Sequence, residues 1–179
     1  MFEADRTLGA NRWQVIRLVG GSTTEVVLLS SRFFALTTHW NGYTVPCCGD
    51  NCPLCELLPS RGLFYLACGC NSRISILELG SQSSSSLEQH CKLLHGGMRP
   101  GLVIRLSRRG AKKPVASEVL RFQERCSEVS MLDLATKVMA VYKFPPPNPG
   151  EELHDYSARC ARCARVRLER IATGILKRS

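Results

Sequence analysis

Residues 39–55 read HWNGYTVPCCGDNCPLC, and this stretch determines how the rest of the chain is interpreted. Cys52 and Cys55 form a Cys-x-x-Cys pair, a spacing at which two thiolates reach one metal ion from a tight turn. His39 and Cys47 supply two further ligands upstream. Four ligands fill a tetrahedron and leave no position for water, so the stretch predicts a structural Zn²⁺ site made of His39, Cys47, Cys52 and Cys55.

The sequence leaves open whether Cys47 or Cys48 supplies the third thiolate. Adjacent cysteines do not easily bind one ion, so only one of the two is expected to be a ligand. Cys47 is preferred, since Pro46 fixes the backbone before it. Two interpretations compete with a metal site as a whole. The cysteines could be reduced surface thiols, or they could form a redox pair. A redox pair expects a helix directly after the motif in a thioredoxin-like βαβ unit, which the sequence lacks.

Stretches with the residue pattern of β-strands lie on both sides of this motif. They cover residues 13–19, 24–40, 62–68, 73–79, 101–106 and 114–122. A helical apolar period over 83–95 places one helix before the last two strands. This order is similar to that of a five-stranded OB-fold Greek-key barrel. The predicted fold is mainly β: such a barrel, with a zinc knuckle inserted between strands and a C-terminal helical extension.

The sequence predicts five segments along the chain. They are an N-terminal arm over 1–11, the OB-fold domain over 12–125 with its knuckle at 39–55, a helical segment over 126–143, a proline-rich extended linker over 144–150, and a basic C-terminal helix over 151–179.

Charge and cysteine content restrict the class of protein. The formal charge of +9 favours an acidic partner, with nucleic acid first and an anionic membrane surface second. No apolar run approaches the roughly 18 residues that span a bilayer, and the N-terminus lacks the apolar region of a secretory signal. We therefore expect a cytoplasmic protein, in the bacterial cytoplasm or nucleoid, without a membrane partner. In that reducing compartment, ten cysteines indicate metal ligands or buried thiols.

Several short motifs together carry a resemblance to a known family. They are HW at 39–40, PC at 46–47, CPLC at 52–55, FYLA at 64–67 and RLSRRGAKKPV at 105–115. Over about residues 12–122 the sequence resembles OB-fold single-stranded-DNA-binding proteins with an inserted zinc knuckle, of the phage, mobile-element and bacterial type. The resemblance implies a non-catalytic protein that binds single-stranded DNA in replication, recombination or mobile-element maintenance, and it carries the same four zinc ligands over to this chain. The basic C-terminus departs from the acidic tail usual in the bacterial proteins.

Binding of a single strand combines a basic groove with aromatic platforms for the bases. The basic loop at 108–113 is where a phosphate backbone could be held. Tyr65 is preferred to Phe64 as a surface residue, because its hydroxyl needs water or a partner. For each aromatic residue taken alone, packing in the core is the competing interpretation. The expected contacts are Trp13, Arg32, Phe34, Trp40, Tyr43, Arg61, Tyr65, Arg73, Arg105, Arg108, Arg109, Lys112 and Lys113.

The C-terminal helix carries a second Cys-x-x-Cys pair, Cys160 and Cys163. A second metal would need two more ligands, which are hard to find; His154 and Cys126 are the candidates. Buried thiols, or a helix that docks on a protein partner, therefore explain this pair better than a metal site. The alternative function is a zinc-stabilised adaptor subunit that mediates protein–protein assembly of a larger nucleic-acid-processing or defence complex. An enzyme is disfavoured, since the acidic residues are scattered and no nucleotide-binding or hydrolase motif occurs. The choice of DNA or RNA, the host process and the oligomeric state stay open.

Overall fold

The computed structural model describes residues 13–177, so the predicted N-terminal arm lies outside the described residues. The described chain is mainly β, with eight strands in an open mixed sheet and three helices. In chain order these are β1 (Gln14–Ile16), β2 (Ser22–Leu28), β3 (Phe34–Trp40), β4 (Thr44–Pro46), β5 (Ser60–Cys70), β6 (Arg73–Gly80), α1 (Ser81–His95), β7 (Leu102–Arg108), β8 (Ala116–Phe122), α2 (Met131–Val141) and α3 (Leu153–Leu176).

Contacts between residues divide the chain into two compact units. Of the described residues, 13–34 and 64–134 form the first unit, and 35–63 and 135–177 form the second. Each unit is described by itself.

In the first unit the strand order is β1-β6-β5-β2-β7-β8. β1 pairs with β6 in parallel, whereas β2 is antiparallel to both β5 and β7, and β7 is antiparallel to β8. Helix α1 packs against β6 and β8. Its Leu87 and Cys91 are fully buried among the inward side chains of the strands, which include Leu66, Leu77 and Ile104. Burial of these apolar side chains is the main stabilising term of the unit, at about 1.5–3 kcal/mol for each large one.

The expected five-stranded Greek-key barrel is not confirmed. Among the described strands, β1 and β8 end the pairing order and do not pair with each other, so the sheet is open. The long strand predicted over 24–40 is interrupted, since β2 ends at Leu28 and β3 begins at Phe34. In the interruption the Ser30 hydroxyl accepts a hydrogen bond from the Ala67 backbone N–H at 3.1 Å, where a strand would offer a carbonyl.

Gly101 fixes the end of the sheet where β2, β7 and β8 meet. Its N–H donates to the Leu28 carbonyl at 2.8 Å, and its own carbonyl accepts from the Gln123 N–H at 2.8 Å. The residue has a φ of +95°, and a Cβ here would meet the Gln123 carbonyl oxygen and the Phe122 ring. Glycine is therefore required by both conformation and space.

In the second unit β3 pairs with β4 as an antiparallel hairpin, with His39 opposite Val45 and Trp40 opposite Thr44. β3 also pairs with β5, and the Thr38 hydroxyl donates to the Arg61 carbonyl at 3.2 Å. The turn that carries Cys52 and Cys55 lies between β4 and β5.

One face of helix α3 is buried in the second unit. It is formed by residues spaced by four: Tyr156, Cys160, Ala164, Leu168 and Ala172. The proline-rich segment before it is held against this helix. The Tyr156 hydroxyl donates to the Pro145 carbonyl at 3.1 Å, and the Arg159 guanidinium donates to the Pro146 carbonyl at 2.9 Å. None of the helices in residues 13–177 is long and apolar enough to cross a membrane.

Candidate metal centre and the aromatic surface beside it

The structure brings the four predicted ligands together. His39 is near the end of β3 and fully buried, Cys47 directly follows β4, and Cys52 and Cys55 lie in the next turn. The Cys47 N–H donates to the Thr37 carbonyl at 2.8 Å, which holds this cysteine against β3. The ligand atoms of His39, Cys47, Cys52 and Cys55 all lie within 4.8 Å of one another, so the cluster could hold a metal ion.

Three distances within the cluster match the edges of a tetrahedron of three thiolates and one imidazole. The Sγ atoms of Cys47 and Cys55 are 3.8 Å apart. His39 Nε2 is 3.5 Å from Cys52 Sγ and 3.7 Å from Cys55 Sγ. With Zn–S bonds of about 2.3 Å and a Zn–N bond of about 2.0–2.1 Å, an ideal tetrahedron has S–S edges of about 3.8 Å and S–N edges of about 3.6 Å. The cluster is therefore consistent with a closed zinc site.

Backbone amides in the turn point at the sulfur atoms. The N–H of Gly49, which follows Cys47 by two residues, donates to Cys47 Sγ at 3.4 Å. The Cys55 N–H donates to the Cys52 carbonyl at 3.1 Å and closes the turn that brings this pair together. Gly49 has a φ of 84° and Asn51 a φ of 54°, both in the left-handed region that glycine and asparagine adopt most readily. The sequence Gly-Asp-Asn is thus suited to this turn.

The thiols of the cluster differ in pKa. Burial, only partly offset by a hydrogen bond from the Gly49 backbone, raises the pKa of Cys47 to about 12. Burial also raises the pKa of Cys55. Burial alone would raise the pKa of Cys52 as well, but hydrogen bonds from the backbone of Cys48 and Leu54 and from the neighbouring thiols lower it to about 6. Since the thiolate is the metal ligand, the lowered pKa of Cys52 favours the form of this residue that binds a metal ion.

The choice between the two adjacent cysteines is made by their positions. Cys47 Sγ belongs to the cluster of ligand atoms found among the described residues, and Cys48 does not. Cys48 is itself buried, 8% exposed, and this burial raises its pKa to about 11. The preference for Cys47 over Cys48 therefore agrees with the structure.

His39 carries a second sign of a ligand. Its Nε2 faces the sulfur atoms, while its Nδ1 is buried without a hydrogen-bond partner within the described residues. Leaving such a nitrogen unpaired costs about 1–3 kcal/mol. A metal ion on Nε2 would place the ring proton on this Nδ1, so the cost of the unpaired nitrogen remains and is offset only by the free energy of metal binding.

The second thiol pair does not form a comparable group. Cys160 is buried in the packed face of α3, and its side chain hydrogen-bonds with that of Tyr156. Cys163 is exposed. The cluster at His39 is the one group of three or more ligands found in residues 13–177, and neither His154 nor Cys126 joins this pair.

Two exposed aromatic residues lie at the tip of the β3–β4 hairpin, directly beside the cluster. Trp40 follows His39 in the chain, and both Trp40 and Tyr43 are 56% exposed. The Arg61 guanidinium lies 6.0 Å from the centre of the Trp40 ring and donates to the Thr44 hydroxyl at 2.9 Å. Three of the predicted nucleic-acid contacts, Trp40, Tyr43 and Arg61, therefore form one patch, which we name the aromatic patch.

The other predicted contacts belong to the first unit, and some of them have different roles. Tyr65 is 2% exposed, so the prediction that it stacks on bases is wrong: β5 is buried on both faces at this point. The Arg105 side chain pairs with Glu25 at 2.9 Å and with Glu118 at 3.1 Å across three strands. Trp13 and Phe34 are half-buried, and the exposed members are Arg32, Arg73, Arg109, Lys112 and Lys113.

Arg108 shapes the basic loop instead of facing solvent. Its guanidinium donates to the carbonyls of Leu18 at 2.8 Å, of Lys113 at 3.0 Å and of Ala111. These bonds close the turn between β7 and β8, and they leave Arg109, Lys112 and Lys113 exposed at its tip.

The contacts of α3 were missed by sequence reasoning, which predicted only a basic C-terminal helix. Arg165 donates to the carbonyl of Asp50 at 2.6 Å and to that of Asn51 at 3.4 Å. Arg167 donates to the carbonyls of Tyr142 and Lys143, at 2.9 Å each. No local sequence signal points to these partners, because they are distant in the chain.

The second unit thus combines a cluster that could hold a metal ion with two exposed aromatic side chains. No protein-family model matches this chain, and neither does any curated protein or solved structure.

Proposed function

We propose that this protein binds single-stranded nucleic acid, and single-stranded DNA first of all, without catalysing a reaction. A Zn²⁺ ion on His39, Cys47, Cys52 and Cys55 would hold the binding surface in place. The observation that carries the proposal is the aromatic patch: two aromatic side chains, each 56% exposed, beside an arginine on a hairpin that contributes ligands to the metal cluster.

Stacking explains why such rings would face solvent. A base stacked on an aromatic side chain contributes about 1–3 kcal/mol, and the contact tolerates any base because every base has a π face. In a duplex the bases are already stacked on one another, so this contribution is available to single strands. Arg61 adds a cation that can contact the phosphate between two bases.

The metal ion would act through the backbone of the hairpin. Because all four positions of the tetrahedron are taken by protein atoms, the ion has a structural role and offers no open position to a substrate. His39 is a ligand and Trp40 is the next residue, so a bound ion fixes the strand from which Trp40 projects. A surface that is already ordered loses less entropy when it binds, which strengthens binding.

Exposed cations of the first unit support the same function through long-range attraction. Arg109, Lys112 and Lys113 at the β7–β8 turn contribute to the formal charge of +9. Such charges raise the affinity for any polyanion and make it depend on salt. The proposal does not require a closed OB-fold barrel, since it rests on the hairpin, the cluster and these cations.

Fluorescence anisotropy of the zinc-loaded protein with labelled oligonucleotides tests the proposal. We expect single-stranded DNA to bind more tightly than a duplex of the same sequence, and single-stranded RNA serves as the comparison that decides the preferred nucleic acid. Trp40→Ala should weaken binding about 5-fold to 150-fold, which corresponds to the loss of one stacked base.

Leu93→Ala is the matched control, because Leu93 is a large apolar side chain on α1 of the first unit that is even more exposed, at 74%. It should leave the affinity unchanged. Equal affinity for single strands and duplex, or an unchanged affinity in Trp40→Ala, would refute the proposal. A stable protein partner that displaces the oligonucleotide would favour an adaptor subunit instead.

A further inference from the structure

Helix α3 contacts the metal-binding turn through one side chain. The Arg165 guanidinium donates to the carbonyls of Asp50 and Asn51 at 2.6 and 3.4 Å. These carbonyls belong to the turn between the ligands Cys47 and Cys52.

The turn directs its carbonyls and one of its N–H groups to opposite sides. It passes through the left-handed region at Gly49 and Asn51, with φ values of 84° and 54°. Its carbonyls point outward to the guanidinium, while the Gly49 N–H points inward to Cys47 Sγ. Arg165 therefore holds the outer side of a turn whose inner side presents the sulfur atoms.

The helix gives Arg165 a fixed base. Its neighbour Ala164 is 3% exposed and Leu168, one turn further on, is 1% exposed, so this part of α3 is packed. Arg167 donates to carbonyls at the end of α2 and lies 4.5 Å from the centre of the Phe144 ring. A planar guanidinium on a packed helix loses little freedom when it forms two bonds, which makes it a precise positioning group.

We propose that α3 is part of the metal centre: Arg165 positions the turn at 48–51, so that binding of the metal ion and packing of α3 are thermodynamically linked. Arg165 is a positioning residue, since it would touch no metal ion. The inference rests on the metal site of the proposed function, but not on nucleic-acid binding. Linkage is reciprocal: if α3 strengthens metal binding, the metal ion strengthens packing of α3 by the same factor.

The affinity for Zn²⁺, measured by competition with a chromophoric chelator, tests one direction of this linkage. Loss of a residue that supports metal ligands from outside typically costs about 10- to 100-fold in metal affinity, and we expect this for Arg165→Ala. Arg165→Lys, which keeps the charge without the paired donors, should fall between this variant and the wild type. Arg170→Ala is the matched control, because Arg170 is exposed on the same helix, and it should stay within about twofold of the wild type, as surface substitutions usually do.

Hydrogen exchange tests the other direction. Zn²⁺ should slow exchange of the amides at 160–168 in the wild type, and much less in Arg165→Ala, whereas a purely structural role of Arg165 would change exchange equally with and without the ion. Equal Zn²⁺ affinities of Arg165→Ala and Arg170→Ala, or exchange in α3 that ignores Zn²⁺ in the wild type, would overturn the inference. If circular dichroism shows that Arg165→Ala does not fold, the same comparison is made with Arg165→Lys.

Both measurements are made without nucleic acid. A wild-type protein that binds Zn²⁺ but no oligonucleotide would therefore refute the proposed function and leave this inference standing. A wild type that binds no Zn²⁺ would refute the metal centre itself, and this outcome differs from a wild type whose affinity simply does not depend on Arg165.

Discussion

Serine in place of Cys47 should weaken metal binding strongly, whereas serine in place of Cys48 should leave it nearly intact. The two residues are adjacent and chemically identical, so the pair controls for composition and position. Cys47 Sγ lies 3.8 Å from Cys55 Sγ within the ligand cluster, and the Cys48 thiol lies outside that cluster.

The size of the effect follows from the number of ligands. Structural Zn²⁺ sites bind with about 10–16 kcal/mol at neutral pH, so each of four ligands accounts for roughly 2.5–4 kcal/mol. A serine hydroxyl stays protonated at this pH and is a poor ligand. Cys47→Ser should therefore reduce Zn²⁺ affinity by about 10²- to 10³-fold, at 1.36 kcal/mol for each factor of ten. Cys48→Ser should destabilise the fold by about 1 kcal/mol and keep one ion per chain.

Substitution of Co²⁺ for Zn²⁺ makes the ligands visible. Thiolate-to-cobalt charge-transfer absorbance grows with the number of thiolates, so the wild type and Cys48→Ser should show the intensity of three thiolates and Cys47→Ser that of two. Chelator competition then gives the Zn²⁺ affinity of each variant.

The opposite pattern, with metal lost in Cys48→Ser and kept in Cys47→Ser, would show that Cys48 is the ligand. Full metal binding in both variants would refute the four-ligand set, because the cluster would then not be the site that holds the ion.

Two further substitutions each test an interaction within one unit. Gly101→Ala should lower the free energy of unfolding by at least about 1–3 kcal/mol, measured in urea, because alanine is strained at a φ of +95° and its Cβ would meet the Gln123 carbonyl. In the second unit the Arg159 guanidinium, followed by the Asn148 backbone N–H, lowers the pKa of Glu151 to about 2. The stabilisation is therefore complete above an unfolded-state pKa of about 4.3 and lost as the pH falls toward 2, so Glu151→Gln should lower the urea midpoint at pH 6 and converge with the wild type near pH 2.

Each of these substitutions has a matched control. Gly110→Ala meets only the Lys113 side chain, at 3.8 Å, and should be nearly neutral. Glu152→Gln removes an exposed carboxylate next to Glu151 and should follow the pH dependence of the wild type. Equal effects of the two alanine variants would contradict the steric argument at Gly101. A difference between Glu151→Gln and the wild type that does not change with pH would contradict the ion pair.

The metal cluster could be predicted because its ligands are close in sequence. Proline, glycine and asparagine mark the turn, and the Cys-x-x-Cys spacing places two thiols on one side of it. His39 is also reached locally, since it lies on the strand that pairs with the segment leading to Cys47. Strand positions were predicted for the same reason: the strand predicted over 101–106 falls on β7, which runs from Leu102 to Arg108.

Sheet closure could not be predicted, because it depends on pairing between distant segments. β1 pairs in parallel with β6, and β2 pairs with β7, although neither pair is adjacent in the chain. A list of strands in order does not distinguish an open sheet with these partners from a Greek-key barrel. The prediction that Tyr65 lies on the surface failed for a related reason. It assumes that a strand has one exposed face, whereas the middle of β5 is buried on both faces.

The arginines of α3 show the same limit. The sequence predicts a basic C-terminal helix, but Arg159 is paired with Glu151 at 2.8 Å and Arg165 reaches a carbonyl 115 residues away in the chain. A carbonyl group leaves no mark in a sequence, because every residue has one. What looked like a surface for a partner is in part an internal set of hydrogen-bond donors.

This limit changes how the formal charge of +9 is understood. Arg105 has two glutamates on neighbouring strands, and Arg108 uses its donors on the carbonyls of its own loop. A guanidinium whose donors are engaged still attracts a polyanion at a distance, but it cannot grip a phosphate with two bonds. If the protein binds nucleic acid as proposed, direct phosphate contact is left to a smaller group, and the salt dependence of oligonucleotide binding should reflect the size of that group more than the total charge. Its expected members are Arg61 beside Trp40, the exposed Arg32 and Arg73, and Arg109, Lys112 and Lys113 at the β7–β8 turn.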